Sequence, residues 1–429
     1  MSLNTYIEKQ YTNNPLWFVD EVKLPYHAAR ISEVVSAKDY LQGRHKVLDR
    51  EDSQYKGKTL RVNKIVLQYA KTILRFHDSY LLGKAVQLSS ADDETLKAVN
   101  DIYKFGNYST TDYEILDRTL KFGDSYEIVY LDRGAIKSKV LDSACSYPVY
   151  DDSGEYVGFI EYWTDYLSNV SYWNVYTDTK EVYKYSNDGG VIHLDEIRKT
   201  FGLPIHYHSF NDSDYLFGYS FLKDIILVLD EVEDVLSKLG TSVYVNSLNP
   251  LPVATGQRIE SSIPADAAGY CLNLDTGTFE WASCDIDHQT VKLFLDSLKS
   301  YLNDIACIPS ALGSSTNISN VGEESMKILM MLANSLSEEN KKWLNDGFSQ
   351  RFKVFSDILS AKGIDIHPET LQVIYNISMP IAESDMIANL KTLRDMGCIS
   401  KTTVLEKTDI ISDSVAELER IQEEGLFEE

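Results

Sequence analysis

The sequence predicts an α+β chain, and three observations predict it. Long stretches repeat apolar residues every three to four positions, the period of one helical face. Residues 122–209 are instead rich in Tyr, Val and Trp and are punctuated by Asp, Asn and Gly, the composition of antiparallel sheet. A third stretch, 241–285, holds prolines, glycines and short β-type pieces between two strong helices.

In chain order, residues 1–60 are polar and mainly helical, with one helical pattern ending at Gly43. Residues 61–83 read as an amphipathic helix capped by Asn63 and ended by Gly83. A short strand at Ala85–Leu88 and a helix at 93–105 follow. The sheet region opens with Phe122–Asp132, turns at Asp132-Arg-Gly134, and continues through Phe159–Tyr166, Tyr172–Thr177 and Glu181–Tyr185.

A helix at 219–239 buries Leu222, Ile225, Leu229 and Val232, and Gly240 ends it. Asp230, Glu231, Glu233 and Asp234 make its remaining face acidic. The insertion 241–285 carries β-type pieces at Ser242–Val245, Tyr270–Leu274 and Thr278–Trp281. Helix 286–307 follows and Pro309 stops it, since proline lacks the N–H and crowds the preceding turn. Residues 310–322 are small and polar, and Ser314, Ser315, Thr316, Asn317, Ser319 and Asn320 carry no charge. A long helix then runs from 323 to about 361, about 58 Å at ~1.5 Å per residue, with Gly347 as its expected kink. Such a helix needs a partner along most of its length. Leu371–Ile377 reads as a strand returning to the earlier sheet, and 383–429 as charged helices, the first stopped by Gly397.

Composition excludes several functions. The net charge is −24, from 41 Lys and Arg against 65 Asp and Glu, and no basic run offers a grip on phosphates. DNA passing without sticking remains compatible with an acidic surface. Five scattered cysteines without a C-x-x-C signal neither a disulfide framework nor zinc, and fit a reducing compartment. No stretch has the length of a membrane span, and the N-terminus lacks the pattern of a signal peptide. The 28 tyrosines suit either wet interfaces or amphipathic strands.

Motifs for chemistry are weak. Lys56-Gly-Lys-Thr59 has Asp52 where a phosphate loop needs its first glycine, and reads as a surface turn. His206 and His208 share a strand face near Asp212 and Asp214, but no further ligand spacing supports a metal. No catalytic motif, metal or cofactor is expected, so the residues themselves point to a soluble assembly or binding protein.

The order of several pieces adds to this reading. Tyr40-Leu-Gln-Gly-Arg-His45, Asn63-Lys-Ile-Val66, Tyr80-Leu-Leu-Gly-Lys84 and Phe122-Gly-Asp-Ser-Tyr-Glu-Ile-Val-Tyr130 come first. Val175-Tyr-Thr177, Phe201-Gly-Leu-Pro204, Ile308-Pro-Ser-Ala-Leu312 and Gly397-Cys-Ile-Ser-Lys401 follow. Together, over about residues 35–420, they resemble the portal proteins of tailed bacteriophages, in the family of long-tailed phages of Gram-positive hosts and related prophages. The resemblance implies a wing at 1–218, stem helices at 219–240 and 286–309, a clip at 241–285 and a tunnel loop at 310–322. It further implies a long helix and return strand at 323–380 and a small crown at 381–429. It implies a ring, usually of twelve subunits, at one capsid vertex, through which double-stranded DNA is packaged and ejected without sequence specificity. The partners it implies are other copies of the chain, the terminase large subunit, a head–tail adaptor, the major capsid protein and a scaffolding protein, in the virion and, during assembly, in the host cytoplasm. Some relatives are thought to use basic residues facing the channel; the loop here has none, although Lys292, Lys299 and Lys327 flank it. Another ring-forming phage connector or tail component, or a cytoplasmic enzyme with a scattered site, are the alternatives.

Overall fold

In the computed structural model of the 429-residue chain, residues 2–55, 58–244, 251–255, 278–282, 288–309, 328–377 and 383–400, with 404, 420 and 421, are described.

Three helices open the chain: α1 (Leu3–Tyr11), α2 (Trp17–Glu21) and α3 (Pro25–Leu41). The Ser2 hydroxyl accepts from the Thr5 amide to cap α1, and Pro25 starts α3, where its missing N–H costs nothing. One buried carboxylate ties them together. Glu21 accepts hydrogen bonds from the hydroxyls of Tyr6 (2.9 Å), Tyr11 (2.6 Å) and Tyr26 (2.9 Å). Burial pushes this carboxyl up, but His27 and the three phenols outweigh it and hold the group below its ordinary value.

These helices pack against a five-stranded antiparallel meander, ordered β10-β9-β8-β7-β6. Its strands are β6 (Ser146–Tyr150), β7 (Tyr156–Asp165), β8 (Val170–Thr177), β9 (Glu181–Asp188) and β10 (Val191–Lys199). The Phe18 ring lies 4.4 Å from that of Tyr185 and 5.9 Å from that of Trp173. Many of the tyrosines thus serve the strands.

A hairpin of β1 (Ser53–Tyr55) and β2 (Lys58–Leu60) pairs Tyr55 opposite Lys58. Residues 56 and 57, in the Lys56-Gly-Lys-Thr59 motif, lie outside the described residues. After α4 (Tyr69–Leu82) and β3 (Gln87–Ser89), Asp92 caps α5 (Asp93–Gly106), and α6 (Tyr108–Phe122) follows. A three-stranded sheet, β11-β4-β5, is built from β4 (Asp124–Asp132), β5 (Ala135–Leu141) and β11 (Ile205–His208). The β4–β5 turn uses Arg133 and Gly134, both with positive φ, as expected for a tight hairpin.

The later elements are α7 (Phe221–Val243), the pair β12 (Leu251–Thr255) and β13 (Thr278–Ala282), α8 (His288–Ile305), α9 (Met331–Ser360), β14 (Gln372–Ile374) and α10 (Glu383–Asp395). The main core joins α4, α5, α6, the three-stranded sheet, α7 and α9, with Leu116, Leu222, Phe348 and Phe355 fully buried.

Several expectations are corrected. Residues 61–68 are extended, not the first turns of a helix, and Asn63 caps nothing: its amide donates to the Thr241 hydroxyl at 3.0 Å. Gly240 lies inside α7 instead of ending it, so Ser242 and Val243 are helical. A side chain at Gly240 would place its Cβ 2.8 Å from Nδ2 of the Asn63 side chain, a flexible end that can move aside. Phe122 ends α6 and begins no strand, because α6 fills the stretch the sequence left blank between α5 and the sheet. The return strand β14 pairs with β3 in a sheet of its own and does not join the meander.

The long helix is described from Met331, about 45 Å at ~1.5 Å per residue, after a turn at Met330; residues 323–327 lie outside the described residues. α9 continues as helix through Gly347. The reason for glycine there is the Tyr207 ring, whose Cε1 would lie 2.0 Å from an added Cβ. The β4–β5 turn at 132–134, the helix after Asp92, strand β13, and Gly397, with φ 73°, beyond α10 all stand where the sequence put them, whereas β12 is an addition to the expected strands and the expected strand at 242–245 begins as helix.

Candidate functional site

α7 and α8 pack together, and three polar devices hold α7, the end of α8 and α9 on the rest of the chain. The first is a ladder. Glu233, Ser237 and Thr241 recur every four residues along one face of α7. They accept the amides of Leu67 (2.7 Å), Ile65 (2.9 Å) and Asn63 (3.0 Å), alternate residues of the extended segment. The geometry matches because four helical residues rise ~6 Å and two extended residues about 6.6 Å. Glu233 is buried, and the Nδ1–H of buried His45 also donates to it, at 2.8 Å. The His45 ring stacks on Tyr40 at 3.9 Å.

The ladder breaks up the expected acidic face. Glu231 is exposed. Asp234 is ion-paired with Lys238 at 2.5 Å and approaches Arg50 at 3.6 Å. Asp230 is half-buried, and burial followed by the Glu233 charge pushes its carboxyl up. Glu233 points into the protein, so it does not belong to an exposed face with the others. The signal was present: Glu233 and Ser237 continue the stripe Leu222, Ile225, Leu229 at helical spacing, and all five are buried.

The second device is α4. Buried His77, pushed down to about 4 by burial, is neutral, and its Nε2–H donates to the Ala306 carbonyl just past α8 at 2.7 Å. The next residue, Asp78, is buried facing Asp117 of α6, which pairs with Lys121 at 2.6 Å. Burial and then Asp117 push the Asp78 carboxyl up to about 8. The folded protein therefore keeps a proton that the unfolded chain releases near pH 4, and stability falls as pH rises from there through 8. Asp78→Asn is expected to be more stable than the parent at pH 9, by about 2 kcal/mol or more, with the gap closing by pH 5. Parallel urea titrations at the two pH values check this; an equal effect at both would contradict the proton.

The third device fixes α9. Arg351 is fully buried. Its Nη1 donates to Asp112 of α6 (2.5 Å) and to the Tyr103 hydroxyl (3.1 Å), and its Nε to Glu127 of β4 (2.9 Å). Glu127 also accepts from the Tyr207 hydroxyl at 2.7 Å, and the guanidinium lies 4.6 Å from the Phe348 ring centre. Burial pushes Asp112 up to about 6, against the pull of Arg351. Sequence reasoning missed this residue, although a lone arginine on the face of Phe348, Phe352 and Phe355 marks it.

Large apolar residues are exposed on and near these helices: Leu227 on α7 is 76% exposed, Leu293 on α8 70%, and Ile328 before α9 72%. Ser314, Ser315, Thr316, Asn317, Ser319 and Asn320 lie outside the described residues. His206 is a satisfied core histidine, bonded to Asp124 (2.8 Å) and Tyr150 (2.6 Å). No group of His, Cys, Asp or Glu suited to a metal, and no helix long and apolar enough to cross a membrane, occurs among the described residues.

The sequence profile of the phage portal proteins, SPP1 Gp6-like, matches residues 20–426. No curated protein sequence matches. Among solved structures, a chain in the neck of an empty GTA particle, computed with C6 symmetry, is similar at 13% identity and a TM-score of 0.47, covering 78% of this chain and 87% of that one. A chain of the virion of the native gene transfer agent (GTA) particle has 12% identity and a TM-score of 0.44, covering 78% and 87%. A chain in the neck of the native GTA particle, computed with C12 symmetry, has 13% identity and a TM-score of 0.45, covering 79% and 89%. With a family profile spanning nearly its whole length, this chain belongs to the SPP1 Gp6-like phage portal proteins, and is a structural protein of the virion at the head–tail connection.

Proposed function

We propose that twelve copies form a ring at one capsid vertex, with residues 219–240 and 286–309 as stem, 241–285 as clip and 310–322 as the tunnel loop. In this reading 323–380 is the long helix with its return strand to the wing, and 381–429 the crown. The observation that carries the ring is the apolar exposure of Leu227, Leu293 and Ile328. Large apolar residues on neighbouring helices of a lone chain mark a surface covered in an assembly. Membership of the portal family, whose rings usually hold twelve subunits, supports the number.

The channel reading follows from charge. Twelve copies carry a formal charge of twelve times −24, about −288, so phosphate finds no deep binding minimum. The uncharged tunnel loop meets DNA through hydroxyl and amide groups only, which are weak and blind to sequence. Glu231, exposed on α7, is the member of the acidic set best placed to repel DNA. The clip meets the terminase large subunit during packaging and a head–tail adaptor afterwards, with the major capsid protein and scaffolding protein around the ring.

The solution mass tests the ring. A particle of twelve times 48.7 kDa, about 584 kDa, with a stain-filled centre is expected. A 49 kDa species that persists at high concentration with scaffold present would overturn it. Deleting Ser314–Ser319 should leave that particle intact and impair DNA packaging or retention; normal packaging by the shortened ring would reject the loop assignment.

A further inference from the structure

We infer that the cleft between the two sheets of the N-terminal half is a docking site for an acidic, amphipathic peptide segment of a partner protein. The inference does not rest on the ring or on the channel. The cleft has a volume of about 500 Å³. Ile128 of β4, Val182 of β9 and Phe201 supply apolar surface, and Lys184, Arg198 and Lys199 supply the charge. Tyr130 and Leu131, exposed on β4, extend the apolar side.

The charge is the unusual feature. Acids outnumber bases by 65 to 41 in the chain, yet the lining holds three cations and no carboxylate among the described residues. Glu196 beside the cleft holds Arg198 at 2.5 Å. Glu196 also stands opposite Lys184 in the β9–β10 register, and Glu161 accepts from Asn174 of the lining at 2.8 Å, so Lys199 is the cation of the lining left without a carboxylate among the described residues. Lys199, the last residue of the edge strand β10, is exposed and has no side-chain partner among the described residues. The Lys184 ammonium lies 5.7 Å from the Tyr172 ring centre.

A ligand that satisfies the cleft must bring both carboxylates and apolar side chains. Nucleic acid brings the charge but has no use for the Ile128, Val182 and Phe201 surface, and a chain of net −24 repels it at long range. An acidic peptide with apolar residues on one side matches both halves. Electrostatic complementarity of this kind sets specificity and encounter rate, and the apolar part supplies the burial.

The probe for the test is a fluorescent synthetic peptide with the sequence of residues 413–424 of this chain, Asp-Ser-Val-Ala-Glu-Leu-Glu-Arg-Ile-Gln-Glu-Glu, which has five acids and one arginine. Titration of the full-length protein, in its assembled form, is read by fluorescence anisotropy. Saturable, salt-sensitive binding is expected. Lys184→Glu with Lys199→Glu should weaken it about tenfold or more. A peptide with serine at the two positions of Leu418 and Ile421 should bind the unchanged protein about tenfold more weakly too, and this arm holds even if the charge variant fails to fold. Absence of binding, or equal binding by the charge variant and by the serine peptide, would overturn the proposal. So would stronger competition by a single-stranded oligonucleotide of equal charge, which reassigns the cleft to nucleic acid. Binding by the lone chain but not by the assembly would overturn it as well, assigning the cleft to contacts between copies.

Discussion

Arg351→Met is expected to lower the stability of the folded chain by about 3–5 kcal/mol, the usual cost of removing one member of a buried ionic group. Methionine keeps much of the volume beside Phe348 but leaves Glu127 and Asp112 buried without a cation. Denaturant unfolding measures the loss. Asp112 already sits near 6 because burial opposes its charge, and without the guanidinium its proton is held still more tightly. Stability of the variant should therefore fall more steeply than that of the parent as pH rises from 5 to 8. The triple change Arg351→Met, Glu127→Met and Asp112→Leu should recover most of the loss, since an apolar replacement removes the uncompensated charges. A loss below about 1 kcal/mol for the single variant would mean that water reaches the group.

Glu233→Ala is expected to cost about 2–4 kcal/mol, because it leaves the Leu67 amide and the His45 imidazole N–H in the interior without their acceptor. The effect should be local before it is global. Hydrogen exchange at Leu67 and Ile65 should accelerate well ahead of exchange in the α6 core. Glu233→Gln keeps an acceptor in place and should recover part of the loss. If the alanine variant exchanged like the parent at Leu67, the ladder would not be what holds α7. Assembly of the variant is a second readout, since α7 would then keep only the Ser237 and Thr241 rungs of the ladder.

Helix-period stripes made α5, α7, α8 and α10 legible in the sequence, and the Tyr- and Val-rich composition with Asp and Gly turns made the meander legible. The misses share one physical cause. At 61–68, a helix-like spacing of Val62, Ile65 and Val66 concealed a segment outside any helix or strand, because three of its amides are satisfied by side chains 166 to 178 residues away. Gly240 and Gly347 read as a stop and a kink, since glycine has that meaning when only local sequence is considered. Gly240 instead continues α7 beside the Asn63 side chain, and Gly347 leaves the room that the Tyr207 ring fills. Glu233 and Arg351 failed for the same reason. A charged residue on an apolar stripe looks like noise until its counter-groups, supplied by other elements, are known. The proposed tunnel loop at 310–322 comes from resemblance and not from a stripe or a spacing within this chain.

The ladder along α7 also has a mechanical consequence. Its rungs are interchangeable acceptors at a fixed spacing, so α7 and the strap beside it can meet in discrete settings rather than along a continuum. Sliding by one notch would move Asn63 to Ser237 and Ile65 to Glu233, keeping two rungs and stranding Leu67. Any intermediate position loses all three. A slide the other way, Ile65 to Thr241 and Leu67 to Ser237, also keeps two rungs, so the spacing favours registers a whole notch of about 6 Å apart over those between. A helix mounted this way keeps its axial register against the segment 63–67, and leaves it only by a whole notch.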